Sequence, residues 1–417
     1  MEHRIPLNKT RDLSHAKQSG AACTNEPAPA GQLAQSPAEH AHTNGFAPCI
    51  RAIWNETRNN PLLSISLFAA IFTSFFNRPQ WSYIDAKVIV CLFELMLIVK
   101  ALEEYGLLRY FAVRIAGRSR DERSLTTALF LISFFLSMVT TNDVAVLTIV
   151  PILIVIAKAC NFSAAFPVVL ITVAANLGSS MTPIGNPQNL YLFSFFHLSA
   201  ADFFRYSAPL SVVSLLLLLL TGRLIRPNAI QLRLSNAPVT EKKKAAIFLL
   251  LLIPVIAGVM NLLPYAATLL LVLPVTLLID RNLLQKPDYR LLLTFVFLFV
   301  AVGNLSHMPA LKDRIATLAD SPIKTYLSSL LLSQVISNVP SAVMLAPFTT
   351  YARALFYGVN VGGLGTPIAS LASIIALSLY SQSYAQGKGR LMRDFLLYNV
   401  GLLILLGGIF ALVVLRF

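Results

Sequence analysis

Charge is scarce in this chain: Asp, Glu, Lys and Arg make up 12% of it, against 56% apolar residues. Soluble domains carry about a quarter charged residues, so a chain this poor in charge, with mean hydropathy +0.68, is solvated mainly by lipid. Cysteine is sparse too. Cys23 and Cys49 precede the first apolar run and Cys91 and Cys160 lie in or beside apolar segments, with no Cys-x-x-Cys and no Cys/His cluster. That argues against a disulfide framework or a zinc site. His-Glu-x-x-His is missing, and no second aspartate has a motif matching that of Asp143, so an intramembrane enzyme is not expected. The net charge is +14, but its cations fall in short clusters between apolar stretches. Without a basic face interleaved with aromatics, nucleic acid is not an expected partner. No cofactor is expected, apart from Na⁺ as a candidate coupling ion.

Residues 1–60 also lack apolar runs and any periodicity, being rich in Ala, Pro, Gln, Asn and His. Too little apolar surface is available there to offset chain entropy. The expectation is a disordered cytoplasmic tail. Nothing before Leu62 resembles the apolar core of a secretory signal.

What the chain does contain is apolar segments. They fall near 62–76, 85–106, 125–139, 144–157, 164–197, 209–222, 245–262, 264–280, 291–304, 322–336, 341–352, 353–380 and 394–415. A full crossing takes about 20 apolar residues. The pairs 125–139 with 144–157 and 322–336 with 341–352 are short, and a few polar residues join each pair, which predicts re-entrant hairpins. With the N-terminus inside, eighteen loop cations fall on the inner side and eight on the outer, as the positive-inside rule requires. Shortness and polar tips, rather than charge, carry the re-entrant reading.

The two hairpins match. Asn142 and Asn338 stand 196 positions apart, and so do Pro151 and Pro347. In each half a spanning helix leads to an amphipathic charged stretch (105–120 or 308–320), a hairpin with Asn at its tip, and a segment broken by Gly and Thr-Pro. Three crossings separate the halves, and an odd number inverts the second relative to the first. The expected fold is an all-α polytopic membrane protein, an inverted-topology repeat with two re-entrant helical hairpins and two broken transmembrane helices. Its parts would be a first half over 61–208, connecting helices over 209–284 and a second half over 285–417.

Backbone that leaves helical form at membrane depth strands polar groups, so such breaks persist only where they are buried in protein or line a wet cavity. Paired breaks in two halves point to a transporter's substrate site. The candidate binding residues are Thr141, Asn142, Asp143, Asn176, Gly178, Thr182, Pro183 and Asn186 in the first half. In the second half they are Ser337, Asn338, Ser341, Gly363, Thr366 and Pro367. Helix N-termini at such a site suit an anion, while carbonyl, Asn and Thr oxygens suit Na⁺, for which Asn142, Asp143 and Asn338 are the candidate ligands. Asp143 is a carboxylate at membrane depth, and such groups mark function. It ligates Na⁺, carries a proton through the cycle, or caps the second hairpin arm. Glu94 and Lys100 share one apolar helix at a spacing that does not put them on one face.

These residues resemble a family. "TTNDVAVLTIVPI", "ANLGSSMTPIGNPQN" and "SNVPSAVML" are similar to segments of the citrate-transporter-like, or ion transporter, superfamily. That group includes divalent-anion/sodium symporters, arsenite-efflux pumps and sodium/proton antiporters. The likeness covers about 60–417 and is nearest to poorly characterised bacterial inner-membrane members named as anion transporters. It implies a homodimer, with a scaffold domain at the interface and a transport domain that moves by elevator-type alternating access. Asn142 and Asn338 match the central Asn of the Ser-Asn-Thr tips found in carboxylate symporters, and Thr141 and Ser337 match the hydroxyl before it. Asp143 and Val339 depart from the third position, which weakens any transfer of dicarboxylate specificity. The expected function is secondary transport of a small ion, an anion first, coupled to Na⁺ or H⁺ across a bacterial inner membrane. A sodium/proton antiporter or arsenite exporter is the alternative, and an ion channel a more distant one.

Overall fold

The computed structural model describes residues 61–230, 238–384 and 386–416; the expected tail 1–60, with Cys23 and Cys49, lies outside them. Among the described residues there are seventeen α-helices and no strand. Helix α1 (Pro61–Ser74) leads to α2 (Ala86–Glu104) and to the short amphipathic α3 (Leu107–Ala116). Next come the first hairpin, α4 (Glu122–Val139) and α5 (Asn142–Ala159), and the first broken segment, α6 (Ala165–Ser179) and α7 (Pro187–Phe195). Helices α8 (Ala200–Gly222), α9 (Lys242–Val259) and α10 (Tyr265–Asp280) connect the halves. The second half has α11 (Tyr289–Ser306), the short α12 (Pro309–Thr317), and the second hairpin, α13 (Pro322–Ile336) and α14 (Asn338–Leu345). Its broken segment is α15 (Ala352–Val361) and α16 (Leu371–Ser383), and α17 (Lys388–Leu415) closes the chain.

Several bounds differ from the sequence reading, for physical reasons. Helix α4 begins at Glu122, because Asp121 and Ser124 form a reciprocal capping box that sustains a polar first turn. Both arms of the first hairpin are 18 residues, longer than expected and each long and apolar enough to cross a membrane. The second hairpin is shorter. Its arm α14 has eight residues and ends in a 3-10 turn, Ala346–Phe348, at Pro347, whose missing N–H ends the α-helical ladder. The crossing expected from 209 starts at Ala200, where Ser199 accepts a hydrogen bond from the Asp202 N–H, and Pro209 lies inside the helix.

Helix packing follows one scheme in both halves. In each, the first hairpin arm lies along the helix before the break, α4 on α6 and α13 on α15. The second arms then cross over: α5 packs on α16 of the other half, and α14 on α7. Polarity is arranged for lipid. Ser133, Ser137, Ser329, Ser333, Asn176, Asn189 and Asn360 are buried, whereas Phe68, Leu278, Leu397 and Ile404 are exposed on the outer helices. Lipid tails are as apolar as Leu, so helices in a bilayer are joined by close packing and hydrogen bonds rather than by hiding apolar surface.

Loops gather at two ends. At one, Arg123 Nε donates to Ile225 O, Glu122 N to Asn228 O, and Lys286 pairs with Glu104. At the other, Asn77 Nδ2 donates to Asn304 O, Lys87 Nζ to Asn261 Oδ1 and Ser194 Oγ to Asp85 Oδ2. Each of these contacts joins segments that the charge count put on one side.

Candidate functional site

The two tips share a sequence pattern but are built differently. At the first, Thr141 is the N-cap of α5 and its Oγ1 accepts from the Val144 N–H at 3.4 Å. The cap is thus Thr141 and not Asp143, which corrects the capping alternative for that carboxylate. Asp143 sits inside the first turn, and its buried Oδ1 has no hydrogen-bond partner. At the second tip the residue three positions past Ser337 is Pro340, which has no N–H to give. Ser337 therefore makes no cap, and its Oγ donates to Ala369 O at 3.3 Å. Its backbone is at φ 80°, ψ 157°, a region that L-residues rarely occupy.

Behind the tips the broken segments close with matched bonds. Thr182 Oγ1 donates to Met138 O, and Thr366 Oγ1 to Gln334 O at 2.9 Å. Asn142 Nδ2 donates to Asn176 Oδ1 at 3.0 Å, and that oxygen also accepts from Ser370 Oγ at 2.9 Å. Asn176 Nδ2 reaches Ser373 Oγ at 3.4 Å. In mirror fashion, Asn360 Nδ2 donates to Asn189 Oδ1 at 2.8 Å and its Oδ1 accepts from Asn186 Nδ2 at 3.3 Å. Asn176, Asn186 and Asn189 precede Asn360, Ser370 and Ser373 by the same 184 positions. Each half thus lends an asparagine that is bonded twice in the other half. The tips meet here as well: Ser337 bonds Ala369, and Asn142 reaches its neighbour Ser370 through Asn176.

A cavity of about 130 Å³ lies beside this network. Of the candidate residues, Thr141, Asp143 and Asn186 line it, with Pro187 and Leu371. The first turns of α5, α7 and α16 therefore face one space, and those helices come from both halves. The opposite wall is α2, from Leu92 to Lys100, a stretch about 12 Å long at 1.5 Å per residue. Asp288, the N-cap of α11, closes the end near Lys100. Lys100 Nζ pairs with Glu103 at 2.8 Å, and Glu94 faces away, accepting from Thr268 Oγ1 at 3.1 Å.

The remaining candidates lie in the packing. Ser341 Oγ donates to Ser329 O at 3.0 Å and is buried. Gly178 is pressed against α4, where an added Cβ would clash with Phe134 O and Ser137 Oγ. A Cβ at Gly363 would be 2.9 Å from Asn338 Nδ2. Pro183 lies in the first break, and Pro367 opens a 3-10 turn in the second. Among the described residues no hydrogen bond links Asn338 directly to Asn142 or Asp143; the connection runs through residues 369 and 370.

Sequence reasoning missed Asn189, Asn360, Ser370 and Ser373. The signal was an Asn-x-Gly before each break, Asn176-Leu177-Gly178 and Asn360-Val361-Gly362. It also missed the serine rows, Ser133 and Ser137 against Ser329 and Ser333, which keep the 196-residue offset of the tips.

These features define a multi-pass membrane transporter. The citrate transporter family matches residues 50–352, so the chain belongs to that family. It is 32% identical to an uncharacterized transporter of Methanocaldococcus jannaschii, over 73% of this chain and 84% of that protein. It is 30% identical to the inner membrane protein YbiR of Escherichia coli, over 86% and 95% of the two chains. The crystal structure of the Alcanivorax borkumensis YdaH transporter shares the fold, with TM-score 0.52 and 15% identity over 79% of this chain and 84% of the other.

Proposed function

We propose that this chain is a secondary active transporter that moves a small anion, coupled to Na⁺ or H⁺, across a bacterial inner membrane with its N-terminus in the cytoplasm. One observation carries the reading: the first turns of α5, α7 and α16 face one cavity from both halves. Each helix N-terminus carries about half a positive charge, and three together favour an anionic ligand. A coupling cation at Asp143 offsets its carboxylate, which would otherwise repel that ligand. The family's description as citrate transporters and the name of the Escherichia coli relative agree with this substrate class and location. In this arrangement the cavity faces the cytoplasmic end, the hairpins and broken segments of the two inverted halves form the carrier, and the protein works as an elevator-type homodimer.

The two carboxylates on the cavity wall, Asp143 and Asp288, favour a second reading as a cation/proton antiporter. Proteoliposome flux separates the two. Citrate, succinate, sulfate, phosphate, arsenite and sodium are each offered under imposed Na⁺ or H⁺ gradients. Saturable, gradient-driven uptake of one anion is expected. Sodium/proton exchange with no anion movement would replace this reading by the second, and single-channel currents would reject both.

A further inference from the structure

We propose that Lys100 is the fixed countercharge of the cavity: its ammonium exchanges between Glu103, Asp143 and the anionic substrate, and a cation bound at Asp143 releases it to the substrate. This deepens the anion-transport reading and rests on it. Lys100 is the one cationic side chain among the cavity-lining residues. It stands on α2, outside both hairpins, on the wall facing Thr141 and Asp143. The two carboxylates lining the cavity differ. Asp288 Oδ1 is engaged by the N–H groups of Arg290 and Leu291 at 3.0 and 3.3 Å. Asp143 Oδ1 is buried with no partner, and a lone buried carboxylate is costly unless a cation reaches it.

Lys100 is free to be that cation. Its pairing with Glu103 is one helical turn along α2, with side chains 28% and 34% exposed, and pairs so open to solvent contribute little. The four-carbon stem of lysine lets its ammonium swing between neighbours. Glu104 pairs with Lys286 at 3.2 Å rather than with Lys100. With nothing bound at Asp143, Lys100 is shared between Glu103, where it stands here, and Asp143, and the cavity holds no spare positive charge, so an anion is rejected. With Na⁺ on Asp143, Lys100 and the three helix ends are left for the anion.

The test uses the full chain in proteoliposomes and nanodiscs, as wild type, Lys100→Gln, Lys100→Arg, Asp143→Asn and the double variant Lys100→Gln/Asp143→Asn. Anion flux is measured against Na⁺ concentration and pH. Lys100→Gln is expected to raise the half-saturating anion concentration roughly tenfold or more, as loss of one charge-assisted hydrogen bond would, with Lys100→Arg recovering most of it. Asp143→Asn is expected to bind anion with no dependence on Na⁺. Thermal unfolding without substrate supplies a readout independent of transport: the double variant should be more stable than the two single losses predict, because each removes the other's partner. Unchanged anion affinity in Lys100→Gln, or strictly additive unfolding shifts, would overturn the proposal. Should the wild type move no anion, the transport reading fails, while the unfolding cycle still decides whether Lys100 and Asp143 are partners.

Discussion

Ser337 holds a backbone conformation at the second tip that glycine adopts readily and serine does not, at φ 80° and ψ 157°. Such a position costs about 1–3 kcal/mol and persists where the surroundings over-determine it. Ser337→Gly is therefore expected to raise the unfolding temperature by a few degrees while lowering transport, because the hydroxyl that binds Ala369 O is lost. Circular dichroism melts and flux on the same preparation check both halves of that expectation. The paired asparagines give the opposite sign. Asn176→Ala or Asn360→Ala leaves buried hydroxyls and amides without partners, at about 1–3 kcal/mol each. Both variants should melt several degrees lower, by similar amounts, since each removes equivalent bonds. A drop in only one of them would show that the two sets are not equivalent.

The closest helix approaches are set by small residues. Gly358 touches α13 so closely that an added Cβ would clash with Ser329 Oγ and stand 2.6 Å from Tyr326 O, whereas Gly401 and Gly408 on α17 have nothing within 4 Å. Gly178→Ala and Gly358→Ala should lower the yield of folded protein sharply and Gly401→Ala should not, as size-exclusion profiles in detergent would report. Much of this architecture was legible in the residues: the hairpin tips, the amphipathic stretches that became α3 and α12, and both breaks. The crosswise asparagine bonding was not, and the reason is a change of register. Residues from the serine rows to Pro151 and Pro347 repeat at 196 positions, but those around the breaks repeat at 184. Helix α5 runs 18 residues while α14 has eight before its 3-10 turn, so alignment on one offset loses the partners of Asn176 and Asn189. The serine rows escaped because isolated serines in an apolar helix carry no period until a neighbouring helix is seen against them.

At the scale of the whole molecule, loops divide between two ends, and the hairpins are the elements whose sidedness matters most. If α4 and α5 enter and leave on one face, single cysteines at Ser119 and Ser163 react with an impermeant thiol reagent from the same side. Cysteines at Asp320 and Thr350 react from the opposite side. Labelling of Ser119 and Ser163 from different sides would show that the first hairpin crosses completely, which the length of its arms permits.

The reciprocal mooring of Asn176 in α16 and of Asn360 in α7 has a mechanical corollary. Neither broken segment can swing by itself without tearing amide contacts in its counterpart, so the four helices behave as one stiff block. In the proposed elevator cycle, Thr141 and Asn186 would travel with that block, while Lys100 on α2 would stay behind. One boundary of that block is α2, whose cavity-lining residues are leucine, methionine and valine with Lys100 as the charged one. For the proposed elevator motion, a greased surface bearing a single charge would offer little resistance to shear.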